Sequence, residues 1–260
     1  MTQSALLPRR PAPNQPRTSA HRPSGPPASV LARVFLHGLV VLAAVWGTPA
    51  RLEALDQWHD RYNERTLQAV DDADFPDLLC DPTEIDFDAV DDPADGIYIE
   101  TYADIHAVYP VSFEALRDTI LDLDSHKDFV PRVVSSNAEP TGDDPPSWRQ
   151  HVELEFSVVV FSAEYSFETE HLVPRDHDDE LVLVFRMVES HDDMIADTGG
   201  SWYLKRIDVD GSEHTYVRYF NHVAFGEHIV GLRLALRNLG LQDVKSVMNS
   251  YYQEADARAH

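Results

Sequence analysis

The residue types in this 260-residue chain that could do chemistry are thirteen histidines, one cysteine and a large excess of carboxylates. His151, His171, His177, His191, His214, His222 and His228 are spread one to a predicted strand or turn. A zinc site on a helix announces itself as His-x-x-x-His or Glu-x-x-His on one helical face, and neither occurs on a predicted helix here. On strands, a zinc site needs ligands at alternate positions or on neighbouring strands, and the sequence alone does not pair them. No metal is therefore expected. The chain has no serine nucleophile elbow, phosphate-binding loop or dinucleotide fingerprint, and no cofactor is expected. For acid–base work it offers His171, Glu189 and Arg237 without a convergent set, so no catalytic residue is assigned. Cys80 is the single cysteine, which excludes an intrachain disulfide.

These side chains sit on elements that the apolar periodicity makes legible. In residues 151–160, Val152, Leu154, Phe156, Val158 and Val160 alternate with His151, Glu153, Glu155 and Ser157, the period-2 pattern of a half-buried strand. In 163–171, Ala163, Tyr165 and Phe167 oppose Glu164, Ser166 and Glu168, and His171 falls on the aromatic face. Residues 181–188 are nearly all apolar, which suits a central strand covered on both sides. Strands over 194–207 and 213–224 complete the run, with turns at 174–179, 191–193 and Asp210-Gly211. Gly199-Gly200 reads as a β-bulge. Earlier strands are expected at 97–109 and 132–139, with a short helix from Ser112, its N-cap, through Leu121 between them. A long helix is expected over 226–254. The order predicts an α+β domain in which a curved antiparallel sheet wraps around a long C-terminal helix and leaves a hollow between them.

The hollow is the expected site. Phe156, Tyr165, Phe167, His171 and Phe185 are its expected wall, with Trp202 and Tyr219 from the last two strands. On the helix, Val230, Leu234, Leu241, Val244 and Met248 lie near one stripe. Arg237 falls inside that stripe, where it binds an anionic head group, pairs with a wall carboxylate such as Glu189, or snorkels outward. Gly240 is expected to divide or kink the helix.

Residues 108–131, reading Val-Tyr-Pro-Val-Ser-Phe-Glu-Ala-Leu-Arg-Asp and then Leu-Asp-Ser-His-Lys-Asp-Phe-Val-Pro, resemble the opening of the START-like superfamily. That superfamily includes polyketide cyclase- and dehydrase-like, coenzyme Q-binding and birch-pollen-allergen-like proteins. Asp124, His126, Phe129 and Pro131 fill its aspartate–histidine–phenylalanine-x-proline phrase. Gly200-Ser201-Trp202-Tyr203-Leu204, Asp210-Gly211 and Thr215-Tyr216-Val217-Arg218-Tyr219 resemble its last hairpin, and the resemblance covers roughly residues 97–258. It implies a helix-grip fold whose members bind sterols, phospholipids, quinones, hormones or polyketides, a minority doing chemistry on them. The expected function is binding or transport of a hydrophobic small molecule. A cyclase- or dehydratase-type enzyme using the same pocket is the alternative.

The N-terminus is a different polymer. Residues 1–50 carry five arginines and no acid, with an apolar run at 34–46 and Gly47-Thr48-Pro49-Ala50 after it. Basic stretch, short apolar core and small-residue exit describe a secretory signal peptide, and hence export to the periplasm or medium. An uncleaved membrane anchor is the alternative, and a start placed too far upstream would explain the long basic stretch. Residues 51–96 are expected to hold a short helix and an acidic linker. The region beyond residue 50 carries 16 basic against 45 acidic side chains, a formal −29. Such a coat repels nucleic acid and anionic surfaces and resembles proteins adapted to high salt. The expected partner is a hydrophobic small molecule, with transient membrane contact left open and no nucleic acid.

Overall fold

The computed structural model describes residues 74–158, 161–192, 194–226, 228 and 230–260, with the side chains of 156–163 outside that description. Eight strands form one antiparallel sheet: β1 (Thr83–Ala94), β2 (Ile97–Tyr109), β3 (Val133–Asp143), β4 (Pro146–Val158), β5 (Phe161–Asp176), β6 (Glu180–Ser190), β7 (Ile195–Val209) and β8 (Ser212–Phe225). They lie in the order β1-β2-β8-β7-β6-β5-β4-β3. Between β2 and β3 come α1 (Phe113–Leu121), a 3-10 turn (Leu123–Ser125) and α2 (His126–Phe129), and α3 (Leu232–Ala259) follows β8. From β2 onward, the strand and helix order expected from the alternation is the observed order.

Local chemistry explains the connections. Val209 pairs with Ser212 across Asp210 and Gly211, both at positive φ (54° and 81°), which makes the two-residue hairpin whose twist matches the strands it joins. Ser112 caps α1 by accepting from the Ala115 amide at 3.3 Å, relieving one of the orphan donors of the first turn.

The sheet is packed at one end and hollow at the other. Under α1 and the C-terminal half of α3, Tyr109, Leu181, Leu204 and Val217 meet Phe113, Leu116, Met248 and Tyr251 in one core. Tyr109 donates to Asn249 at 3.1 Å and stacks on Tyr252 with ring centres 4.6 Å apart, which fixes this half of α3. On the opposite face of the sheet, Val182 and Val184 pack with Val108, Tyr216 and Leu78. So β6 is covered on both sides over its first residues, as its apolar run predicts.

Four expectations are corrected. The acidic stretch is not a linker: Phe75–Leu78 forms a 3-10 turn and Thr83–Ala94 is the edge strand β1. Its acids hide a period-2 pattern, with Phe87, Ala89 and Asp91 half-buried on one side and Glu84, Asp86 and Asp88 exposed on the other. Charge along an exposed edge discourages pairing with another sheet. The long helix begins at Leu232, after Gly231 at φ 90°, not at residue 226, and it runs unbroken through Gly240. The β-bulge expected at Gly199-Gly200 is absent: both pair in register with β8, and the shift lies between Ile195 and Asp197. Finally, β5 continues through Pro174 to Asp176, a register shift between Leu172 and Arg175 accommodating the proline.

Candidate ligand-binding cavity

The strands alternate inward and outward, so every second residue of β4 to β8 faces α3. Toward the N-terminal half of α3 these inward side chains enclose a cavity of about 300 Å³. Its floor is a run of near-parallel rings. His171 stacks on Phe185 (centroids 5.7 Å, 23°), Phe185 on Tyr219 (6.5 Å, 22°), and Tyr219 on Trp202 (4.1 Å, 22°). Tyr251 of α3 tilts against Trp202 at 4.8 Å. Tyr165 and Phe167 extend the wall along β5, and Leu236, Val244 and Val247 come down from the helix.

Tyr165, Phe167, His171, Phe185, Trp202 and Tyr219 therefore all line the cavity. The side chain of Phe156 lies outside the described residues. Leu234 and Arg237 do not line it, contrary to expectation. Leu234 is 69 % exposed, and Arg237 turns outward to donate to Asp91 of β1 at 2.7 Å. Arg233, one turn earlier, donates to Asp92 at 2.6 Å and lies over the Tyr98 ring at 3.9 Å. The two arginines clamp the start of α3 to the acidic edge strand instead of meeting a ligand. Glu189 pairs with neither.

The polar groups in the wall divide into satisfied and unsatisfied. At one end, Gln150 donates to the Leu123 carbonyl at 3.1 Å and to Ser136 at 2.7 Å. His126 Nε2 lies 3.2 Å from the Ile120 carbonyl, which can only accept, so Nε2 carries the proton. Nδ1 then accepts from the Tyr251 hydroxyl at 3.2 Å. Burial holds His126 down to about 4, so the ring is neutral at pH 7. His171 is pushed further, to about 3, by burial first and by His126 second. Its Nε2 meets the Thr169 hydroxyl at 2.9 Å, while Nδ1 has no partner among the described residues. The Tyr165 hydroxyl is likewise buried and unpartnered, and burial raises its pKa. At the rim, where the lining is partly exposed, Arg132 Nη2 donates to both oxygens of Asp243 at 2.7 and 2.9 Å, joining the segment before β3 to α3.

Sequence reasoning missed Thr169, Gln150, Asn221 and, apart from Val244, the α3 lining. Thr169 and Gln150 were readable as inward positions, because they share the faces of Phe167 and Val152. Most of the helix residues were not, since a one-residue offset in the chosen apolar stripe turns a helix face by about 100°.

The curved antiparallel sheet, the two short helices after its second strand and the C-terminal helix across its hollow face make this a START-like helix-grip fold with an internal apolar cavity. Solved structures similar to it include the Zhui aromatase/cyclase from Streptomyces sp. R1128, at 11 % identity and TM-score 0.48 over 62 % of this chain and 96 % of that one. A STAR-related lipid transfer protein from Xanthomonas axonopodis aligns at 10 % identity and TM-score 0.49 over 65 % and 98 %. A START superfamily protein from Mycobacterium smegmatis aligns at 11 % identity and TM-score 0.44 over 59 % and 97 %. At such scores it is the topology above, not the likeness, that carries the fold assignment. No family model and no curated protein sequence matches the chain.

Proposed function

We propose that this protein binds a compact, ring-bearing apolar molecule that carries a polar group, and that it does so without turning the molecule over. The stacked floor of His171, Phe185, Tyr219 and Trp202 carries the reading. An aromatic wall gains most from an aromatic or otherwise ring-bearing partner, and about 300 Å³ lies at the low end of the roughly 300–1,000 Å³ usual for small-molecule sites. That volume favours a ring system such as a quinone head or a polyketide-like ring over a two-chain lipid. The unpartnered Tyr165 hydroxyl and His171 Nδ1 supply hydrogen bonds to such a ligand. They lie six residues apart on β5, about 20 Å of strand at 3.3–3.4 Å per residue, so a compact ligand engages one of them and not both.

The enzymatic alternative needs an acid or base near neutrality. A His171 held at about 3 by burial remains neutral there and is a weak base, which supports binding over turnover. In the test, the full chain is titrated with a neutral fluorescent naphthylamine dye, followed by dye emission and by tryptophan quenching. Saturable binding is expected, displaced by small quinones or naphthols. Trp202→Ala should weaken it in the folded fraction, whereas Glu168→Ala, on the outer face of β5, should not. A folded chain that takes up no apolar probe ends this reading. Residues 1–50 lie outside the described region, and among the described residues no helix is long and apolar enough to cross a membrane. Export by that segment is a companion proposal, tested by sequencing the mature N-terminus.

A further inference from the structure

The outer face of the sheet, away from the cavity, brings together three side chains that the sequence leaves scattered. His151 of β4 pairs directly across the ladder with Glu168 of β5, and Glu168 pairs with Glu189 of β6. All three therefore stand in one row on one face. His191, in the turn after β6, folds back over that row. Its amide donates to the Ser166 carbonyl at 2.9 Å, and Asp192 beside it accepts from the amides of Ser166 at 2.7 Å and Met194 at 3.0 Å. The turn is thus tied down at both sides of His191. One ligand atom each from His151, Glu168 and His191 lies within 4.8 Å of the others, and the two imidazole rings are 5.4 Å apart.

Neither imidazole is otherwise engaged at hydrogen-bond length among the described residues. Their polar neighbours stand off: Glu153 is 3.6 Å from His151 Nε2, Glu168 4.0 Å from His191 Nε2 and Glu189 3.8 Å from His191 Nδ1. Spacings this long between five groups with three carboxylates describe a set of ligands around a gap, not a closed hydrogen-bond network. A competing cation among the described residues is Arg149, 3.6 Å from Glu168 Oε2. It is half-exposed and leaves Oε1, the oxygen facing His191, free of it.

We propose that His151, Glu168 and His191 form a surface binding site for a divalent transition-metal ion, zinc by preference, with Glu153 and Glu189 as a fourth ligand or as partners to the imidazoles. Two imidazole nitrogens and one carboxylate are the donor set of zinc, and of copper or nickel, rather than of magnesium or calcium, which take oxygens. Zinc–nitrogen bonds of about 2.0–2.1 Å require the donors to draw in from their present spacing, and partly exposed side chains can do so by rotamer changes. The ion would tie β4 and β5 to the β6–β7 turn, so its binding energy would add to the stability of the fold.

The experiment uses the full, tag-free chain stripped with a chelator and then titrated with Zn²⁺ alone by calorimetry and with Co²⁺ by visible absorption. Expected are one saturable site per chain, the intense ligand-field bands of a low-coordinate nitrogen-containing cobalt site, a melting temperature that rises with Zn²⁺, and no displacement by excess Mg²⁺ or Ca²⁺. His151→Ala, His191→Ala and Glu168→Gln should each weaken Zn²⁺ binding by at least about tenfold, the lower bound for losing even an outer-shell partner. His177→Ala, an exposed histidine elsewhere, should leave it unchanged. Folded wild-type protein that binds no Zn²⁺, binding that survives all three substitutions, or binding that Mg²⁺ displaces as readily as Zn²⁺ would each overturn the proposal. The last two would point to diffuse condensation on the acidic coat.

Discussion

A buried imidazole that cannot charge makes a wall group with a cost, and two of them line this cavity. His126 and His171 are held by burial at about 4 and about 3, below the ordinary 6.5 that both recover on unfolding. The unfolded chain therefore binds more protons than the folded one below pH 6.5. Their contribution to stability is whole above that pH and is lost as the pH falls from 6.5 toward 4. Each histidine adds a slope of about 1.4 kcal/mol per pH unit inside the window. The urea midpoint should be flat above pH 7 and drop between pH 6.5 and 4.5, and His171→Gln should lessen the slope even if it lowers the plateau. Equal slopes in the two proteins would mean that His171 charges freely in the folded state. The same residues show what a sequence discloses at this scale. Because a strand has a period of two, one correct strand assignment puts Tyr165, Phe167 and His171 on the same inward face. A helix has no such economy: the observed lining of Leu236, Gly240, Val247 and Tyr251 is one residue out of phase with the expected stripe through Leu234, Arg237, Leu241 and Met248, and one residue is about 100° of rotation. Nor does alternation tell which inward polar group is satisfied. That depends on partners such as Thr169 and Ile120, fixed only when the chain has folded.

At the scale of elements, the strands were legible and two punctuating residues were misread. Gly200 lacks a side chain because there is no room for one, not because the strand bulges. A Cβ there would overlap the Phe220 carbonyl oxygen of β8 and stand 2.8 Å from Cζ of Phe185. The ring can turn, but the carbonyl belongs to the ladder. Gly200→Ala should therefore destabilise the fold by about 1–3 kcal/mol, the usual range for overpacking, and should also disturb the Phe185 end of the aromatic floor. Parallel urea and dye titrations check both effects, and a variant as stable as the wild type would show that the β7–β8 spacing relaxes at no cost. Gly240 has a comparable reason. A Cβ on it would come 3.3 Å from the Phe87 ring of β1, so the glycine lets the edge strand pack closely onto α3. Composition concealed β1 itself, since a run dominated by aspartate and punctuated by proline has the statistics of a linker. It is a strand that pairs along its length with β2, and Asp91 and Asp92, which a linker would leave in water, find Arg237 and Arg233 on the helix.

For the whole molecule, the question is which electrostatic effect dominates. Most arginines in the described residues are already matched: Arg117 with Asp176, Arg175 with Glu180, Arg206 with Glu114 and Glu213, Arg258 with Asp122 and Glu254. These are exposed or partly exposed pairs that contribute little each, and salt weakens them. The pair between Arg218 and Asp104, each only 2 % exposed, is shielded from that effect. Against the pairs stand 45 carboxylates and 16 cations beyond residue 50. Even with every cation matched one to one, 29 negative charges remain to repel one another over a small globule. The screening length shrinks from about 30 Å at 0.01 M salt to about 3 Å at 1 M. At the longer length every unmatched carboxylate feels many others, and at the shorter one few beyond contact. Losing a handful of weak pairs is the smaller change, so repulsion sets the sign. The melting temperature of the chain beyond residue 50 should rise between 0.01 and 1 M sodium or potassium chloride. The rise should be steepest at the low end, where screening changes most in absolute length. Neutralising exposed acids on the outer edge, as in Glu84→Gln with Asp88→Asn, should reproduce part of the rise at low salt and shrink the remaining salt response. A melting temperature that stays flat or falls with chloride would mean that the ion pairs, not the carboxylate excess, govern the electrostatics of this fold.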